Sequence, residues 1–247
     1  SLYSEDNAAE LTTGTNSIVT FNGAVGVDEA AAADKFDDIT VGTGSTVIFK
    51  GKVNGDTLTL NNLSNVTFNK KVTSTGVFTS GNSGSSTITI GSGFTIGDGA
   101  TTASDDVITA GANTVINTGG NISVNLPSDF TSGHLVLLTE GGTGISSGEL
   151  GKVVPVDTVL TDYAAVDGGA AYSGTATTAD IVITATAKTT ASIASAYGIS
   201  EAAAASLGSM GDALRGNTAL TDLFTDVITA GGATAKKAAE QVQGTPA

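Results

Sequence analysis

The chain has no cysteine and no tryptophan, and among its 247 residues only one histidine, one methionine, one arginine and three prolines. Without cysteine there is no disulfide framework, no thiolate zinc site and no cysteine nucleophile. One imidazole excludes any site that needs two. A single arginine, Arg215, lies far along the chain and excludes an arginine-assisted lyase site on the β-rich part. Aromatic residues are scarce, 5% of the total, so no thick globular core can be built. No stretch approaches the roughly 20 apolar residues that span a bilayer as a helix. Positive charge is also scarce: ten basic residues face 24 acids, for a net charge of −14. That balance argues against a nucleic-acid binder, which needs clustered Lys and Arg.

What is abundant is Thr, Ala, Gly, Ser, Asn and Val. Thr and Val suit pleated, half-buried surfaces, and Gly, Asn and Ser supply turns. A degenerate motif recurs three times, as Val19-Thr20-Phe21-Asn22-Gly23-Ala24-Val25, Val47-Ile48-Phe49-Lys50-Gly51-Lys52-Val53 and Val66-Thr67-Phe68-Asn69-Lys70-Lys71-Val72. The Phe positions are 28 and then 19 residues apart. Recurrence at such a period marks a solenoid. Within each copy the Val, the Phe and the last Val share one parity, so they line one strand face. The Gly or Lys between them shares that parity too, which places a bend there.

Weaker strands are expected at 85–90, 113–117, 121–124 and 134–139, separated by Gly-rich turns that include Gly97-Asp98-Gly99 and Gly168-Gly169. No helical period is read in 12–187, and no two-residue hairpin is evident. The expected fold is mainly β, a right-handed parallel β-helix over 1–189, followed by a short α-helical C-terminal region over 190–247. With about 20–25 residues per rung, the β region makes about eight rungs and a rod of about 40 Å. Beyond Thr189, helices are expected at 191–197, 200–207, 217–228 and 233–243, and they are read as a cap on the final rung. Leu220, Leu223, Phe224, Val227 and Ile228 form an apolar stripe at helical spacing. Ala30–Ala33 is read as a short helix or a loop excursion. The chain starts at Ser1 without an apolar leader, as expected of a processed chain or part of a longer precursor.

The Val-x-Phe-Asn-Gly-x-Val repeats are similar to rungs of large surface autotransporter passengers, surface-layer-like ones among them. Gly133-His134-Leu135-Val136-Leu137-Leu138-Thr139-Glu140-Gly141-Gly142 resembles the segment that precedes the last rungs of such passengers. Asn217-Thr218-Ala219-Leu220 through Ala239-Glu240-Gln241-Val242 resembles the helical junction before their outer-membrane barrel. The barrel's own pattern of alternating strands with aromatic girdles is missing. The resemblance implies a secreted β-helical passenger at the bacterial cell surface, with its own cleaved barrel as one partner.

Catalytic constellations are sparse. A Ser-His-Asp triad would need His134, which reads as a strand-edge histidine at the head of an apolar run. Asp37-Asp38 and Asp105-Asp106 are paired carboxylates, but adjacent strand residues point to opposite faces, so neither doublet converges by itself. No enzyme activity is expected, and no cofactor. Calcium is the one cation to weigh, with Asp98, Asp105 and Asp106 in a Gly-rich stretch; the other reading is solvated turn acids.

Charge is uneven along the chain. Residues 1–38 carry a net −7 and residues 39–75 a net +3. Lys50, Lys52, Lys70 and Lys71 against Asp37 and Asp38 are therefore the expected assembly residues. Lys52 and Lys71 hold equivalent motif positions and should splay outward, or have Asp56 or a partner's acid between them. The expected function is structural, a cell-surface chain self-assembling into a fibre or lattice through its ends and sides. The alternative is an adhesin whose Thr- and Asn-rich wall binds host or neighbouring-cell ligands.

Overall fold

The computed structural model describes residues 2, 9–26, 36–74, 76–80, 84–91, 94, 106–111, 120–127, 130, 132–140, 146–158, 160–168, 180–214 and 237. It is mainly β, with two sheets of parallel strands. Along the chain run β1 (Glu10–Thr12), β2 (Ile18–Phe21), β3 (Phe36–Val41), β4 (Thr46–Phe49), β5 (Val53–Leu60), β6 (Asn65–Phe68), β7 (Val72–Ser74) and β8 (Phe78–Ser80). They are followed by β9 (Ser86–Ile90), β10 (Ile108–Ala110), β11 (Ile122–Asn125), β12 (Gly133–Glu140), α1 (Ser147–Leu150), β13 (Val153–Pro155), β14 (Thr161–Asp167) and β15 (Ile181–Ala187). Two helices come last, α2 (Thr190–Tyr197) and α3 (Glu201–Leu214). The expected strand at 113–117 and the expected helices at 217–228 and 233–243 lie outside the described residues, apart from Lys237, which is helical.

The chain forms two compact units. The first comprises Ser1–Leu126, His134–Val156 and Ala164–Thr184, and the second Pro127–Gly133, Asp157–Tyr163 and Ala185–Ala247. In the first unit the chain alternates between sheets. The second sheet has the order β13-β11-β9-β6-β4-β2. Its register aligns Val19, Val47, Val66, Ile88, Val124 and Pro155 in one column. Phe21, Phe49 and Phe68 align in the next, and their rings stack at 5.1 and 5.7 Å with interplanar angles of 8° and 13°. The three motif copies found in the sequence are thus direct neighbours in space. Six strands stack here among the described residues, and successive partners lie 19 to 36 residues apart, a wider spread than the roughly 20–25 expected.

The last Val of each copy belongs to the other sheet, where Leu2, Val25, Val53, Val72, Ile108 and Leu138 form a column. Between the sheets the chain bends at Gly23, at Gly51 and at Asn69-Lys70, as parity demanded. Gly51 is required there: a Cβ would come within 2.5 Å of the Ala24 backbone nitrogen. The strand β5 changes its buried parity, from Val53 and Gly55 to Leu58 and Leu60. Its two halves pair separately with β7 and β8. A one-residue parity change moves a side chain to the other face, so β5 covers two directions of the core with one strand.

Serines line the turn before the second sheet, Ser45, Ser64 and Ser86 buried and Ser17 half-buried. Ser17 and Ser45 hydroxyls lie 3.2 Å apart, and Ser64 and Ser86 hydroxyls 3.3 Å apart. Ser17 donates to Gly14 C=O at 2.8 Å and Ser86 to Asn61 C=O at 3.0 Å. These hydroxyls supply donors to main-chain carbonyls of the turns. The same turn carries left-handed residues at stacked positions, Asn16 (φ 54°), Gly44 (φ 68°) and Leu63 (φ 59°).

Three features depart from the expectations. First, α1 interrupts a region read as free of helix; Ser146 accepts from Glu149 N–H while the Glu149 carboxylate accepts from Ser146 N–H, a capping box that stabilises one isolated turn. Second, β14 and β15 run antiparallel: Gly168 N–H donates to Asp180 C=O and Lys188 N–H to Leu160 C=O, so residue numbers move in opposite directions along the pair. Gly168 therefore stands at the end of that strand pair; Gly169 lies outside the described residues. Third, His134 is 2% exposed and lies in β12, with Leu135, Val136, Leu137 and Leu138 also buried. It is an interior residue, because β12 is flanked by β10 and β15 and covered on both faces.

In the second unit, α2 begins at the Thr189 cap and stops at Gly198, whose left-handed backbone ends the helix. Ile193 and Ala194 pack with Ala203, Ala204 and Leu207 of α3. Phe130 stacks on Tyr163 at 5.4 Å, and the Tyr163 hydroxyl donates to Phe130 C=O at 2.6 Å. Lys188 donates to Thr158 C=O at 2.7 Å and pairs with Asp162 at 3.3 Å. Among the described residues no helix is long and apolar enough to cross a membrane.

Candidate functional site

The four lysines singled out in the sequence come together in space. Lys50 and Lys52 occupy the bend after β4, and Lys70 and Lys71 the stacked bend after β6. Lys50, Lys52 and Lys70 are exposed, as expected of splayed like charges, and Lys71 is half-buried. The Lys71 ammonium lies 3.7 Å from an Asp106 carboxylate oxygen. Its acid is therefore supplied by the strand tier beyond, at β10. Both partners are partly solvated, so the pair contributes on the order of 0–1 kcal/mol.

Asp37 and Asp38 sit elsewhere, at the start of β3. Asp37 is exposed and Asp38 half-buried between Phe36 and Ile39, both of them buried. In the register Asp38 stands between Glu10 of β1 and Thr57 of β5. Acid opposite acid is unfavourable in a sheet. These aspartates mark the tiers nearest the N-terminal end of the first sheet.

Of the calcium residues, Asp98 and Asp105 lie outside the described residues. Asp106 accepts from the Thr109 hydroxyl at 3.4 Å besides facing Lys71. Among the described residues no three His, Cys, Asp or Glu side chains are grouped as a metal site would need.

The first sheet carries ladders of small hydroxylated and amide side chains, half-buried for the most part. Thr12, Thr40, Thr59 and Thr79 align on one, and Asn54, Thr73, Thr109 and Thr139 on another. Such a wall offers hydrogen-bonding groups at the strand repeat of about 4.8 Å.

The feature that sequence reasoning passed over is the terminal strand of the second sheet. Thr46 N–H donates to Ser17 C=O and Lys50 N–H to Phe21 C=O. In a parallel ladder this turns the main-chain groups of Ser17, Val19 and Phe21 toward β4 and those of Ile18 and Thr20 away from it. Among the described residues nothing pairs with that outer side. Ile18 is 85% exposed. The signal was present: no residue from 11 through 27 is charged.

No family model matches the chain, and no curated protein or solved structure does.

At the opposite end of the same sheet, β13 is built differently. Ile122 N–H donates to Lys152 C=O and Val156 N–H to Val124 C=O. Val153 and Pro155 therefore face outward, and Pro155 has no N–H to offer. Proline on an outward-facing edge position blunts further pairing. Among the described residues, the two terminal strands of this sheet thus differ: β13 carries a proline and β2 none.

Proposed function

We propose that this chain is a structural protein of the bacterial cell surface, a passenger of the autotransporter type, and that it assembles with copies of itself into a fibre or surface lattice. The fold proposed with it is a right-handed parallel β-helix. What supports the coil is the alternation of the chain between two sheets, with parallel register repeated column by column and with β5 turning between two directions. Parallel crossovers are right-handed in about 98% of cases, which supports the hand. The role is one of surface presentation, without catalysis.

The observation that carries the assembly reading is the terminal strand β2, whose outer side pairs with nothing among the described residues and where Ile18 is 85% exposed. An unpaired edge is a template for another strand. The exposed lysine cluster and the Thr ladders supply polar side contacts between neighbouring copies.

The test is negative-stain microscopy of the purified chain across a concentration series, with light scattering on the same samples. Regular fibres or sheets that grow with concentration are the expected result. A single monomeric species at millimolar concentration overturns the reading.

A further inference from the structure

We propose that the lysine-bearing bends between the two sheets dock side by side against the acidic bend of a second copy of this chain, the copies pointing the same way and staggered by one strand tier. The proposal rests on the self-assembly reading and names the residues of its side contact.

The lysines form a ridge inside the stack. In two successive tiers the chain leaves the second sheet at Phe49 and Phe68 and enters the first at Val53 and Val72, all four of them buried. Between these anchors Lys50, Lys52 and Lys70 are exposed and Lys71 is half-buried. Asn69 N–H donates to Phe49 C=O and Val53 N–H to Lys71 C=O, so the two bends are hydrogen-bonded neighbours, about 4.8 Å apart. Both lie between other tiers, with β2 on one side and β9 on the other. Four of the ten basic residues of a chain with net charge −14 are gathered there.

An acidic ridge lies across a narrow strip of the first sheet. Asp56 and Thr57 stand between buried Gly55 and Leu58, and Asp37 and Asp38 between buried Phe36 and Ile39. Two outward residues in succession make a bend in each tier. The register sets Phe36 against Gly55 and Asp38 against Thr57, which puts Asp37 beside Asp56. The strip between the ridges, Val53–Gly55 in this tier, is three residues long, about 10 Å. That is about one Debye length at 0.1 M salt, so the exposed charges of the two ridges in one copy are largely screened from each other. A neighbour that lays ridge on ridge brings them into contact.

The tiers fix the stagger. The lysines belong to the bends after β4 and β6, and the acids to β3 and β5, where β5 shares the tier of Lys50 and Lys52. Shifting one copy by one tier sets Lys50 and Lys52 against Asp37 and Asp38, and Lys70 against Asp56. Both ridges repeat at the strand spacing, so aligning one pair aligns the next. An exposed pair contributes little alone, and the repeat is what makes the contact selective. Lys71 shows the same preference within one copy, where its ammonium takes the Asp106 carboxylate of an adjacent tier at 3.7 Å. A contact of either ridge with itself sets like charge on like. Basic-on-acidic contacts use a different surface on each neighbour, do not close, and extend into a sheet of copies.

The purified full chain is made as Lys50→Glu/Lys52→Glu, as Asp37→Lys/Asp38→Lys, and as a control, Lys152→Glu/Lys237→Glu, which changes net charge equally away from the ridge. All these positions are exposed or half-buried, and circular dichroism checks that the fold is kept. Light scattering across a concentration series gives the midpoint of assembly.

Each ridge variant alone should raise that midpoint at least about tenfold, and the control should match the parent. An equimolar mixture of the two ridge variants should assemble again, because each then meets a ridge of opposite sign on both sides. Parent assembly should weaken as salt rises from about 0.1 M to about 1 M, where the screening length falls to about 3 Å. Ridge variants that assemble like the parent, or a mixture no better than its components, overturn the side contact and leave self-assembly standing through another surface. A parent that stays monomeric throughout overturns both.

Discussion

Replacing Phe49 by Ala tests whether the column of stacked rings is a source of cohesion between strands. Phe49 is 1% exposed, with Phe21 at 5.1 Å on one side and Phe68 at 5.7 Å on the other. Truncating a buried Phe costs about 3–5 kcal/mol, part of it from the cavity left behind. Two ring pairs are lost together, each contributing about 0.5–1.5 kcal/mol beyond buried area, so Phe49→Ala belongs near the top of that range. Phe21→Ala loses one of those pairs and leaves a half-exposed gap that water can enter, so about 2 kcal/mol is expected from the smaller buried area. Stacked-repeat proteins unfold by nearest-neighbour rules and do not guarantee a two-state transition. The assay is therefore amide hydrogen exchange, strand by strand. Phe49→Ala should speed exchange in β2, β4 and β6 by about a thousandfold, given a factor of ten per 1.4 kcal/mol, whereas Phe21→Ala should act mainly on β2 with about a thirtyfold effect. The double variant should show a coupling of about 0.5–1.5 kcal/mol. Equal effects of the two single variants, or zero coupling, would refute the idea that the ring column ties successive strands together.

Two further outcomes are expected. Gly51→Ala drives a methyl group into the Ala24 and Gly23 backbone and should cost about 1–3 kcal/mol in urea unfolding, while Gly14→Ala, with nothing within 4 Å of the added carbon, should leave the midpoint within about 0.5 kcal/mol of the parent. Leu63 holds φ 59° while 60% exposed, at the position where the preceding turn has Gly44; Leu63→Asn should raise the thermal midpoint by relieving about 1 kcal/mol of left-handed strain, and a lower midpoint would show that the leucine side chain contributes packing instead.

The elements legible in the sequence were those written by local rules. The motif copies around Phe21, Phe49 and Phe68 alternate with period two and end in a bend, so their strands, their shared buried face and their mutual pairing could all be read from the chain alone. The same holds for α2, which is bracketed by the Thr189 cap and Gly198. The antiparallel pair β14–β15 was missed because residues 168–180 between its strands are far more than a two-residue hairpin, so the Gly168-Gly169 turn signal did not point to a strand pair, and α1 was missed because a single capped turn has too few residues to show a period. The lysines were legible as a cluster, since Lys52 and Lys71 hold the same motif position and Lys50 and Lys70 lie within two residues of them, but the partner of Lys71 was not: Asp106 is 35 positions away in the chain and becomes a neighbour only through the β7–β10 register.

What the sequence by itself determined is the kind of surface this protein makes: strands rich in Thr and Val, one face apolar and one hydroxylated, punctuated by glycine where neighbouring turns touch. Those properties depend on residues within a few positions of one another. Tertiary structure alone decided the order of the described strands in the second sheet, which main-chain groups of β2 face β4 and which, at Ile18 and Thr20, face away from it, and that Pro155 stands in the strand at the opposite end. Hydrogen-bond direction in a parallel ladder follows from register, and register is a relation between distant segments that no local pattern contains.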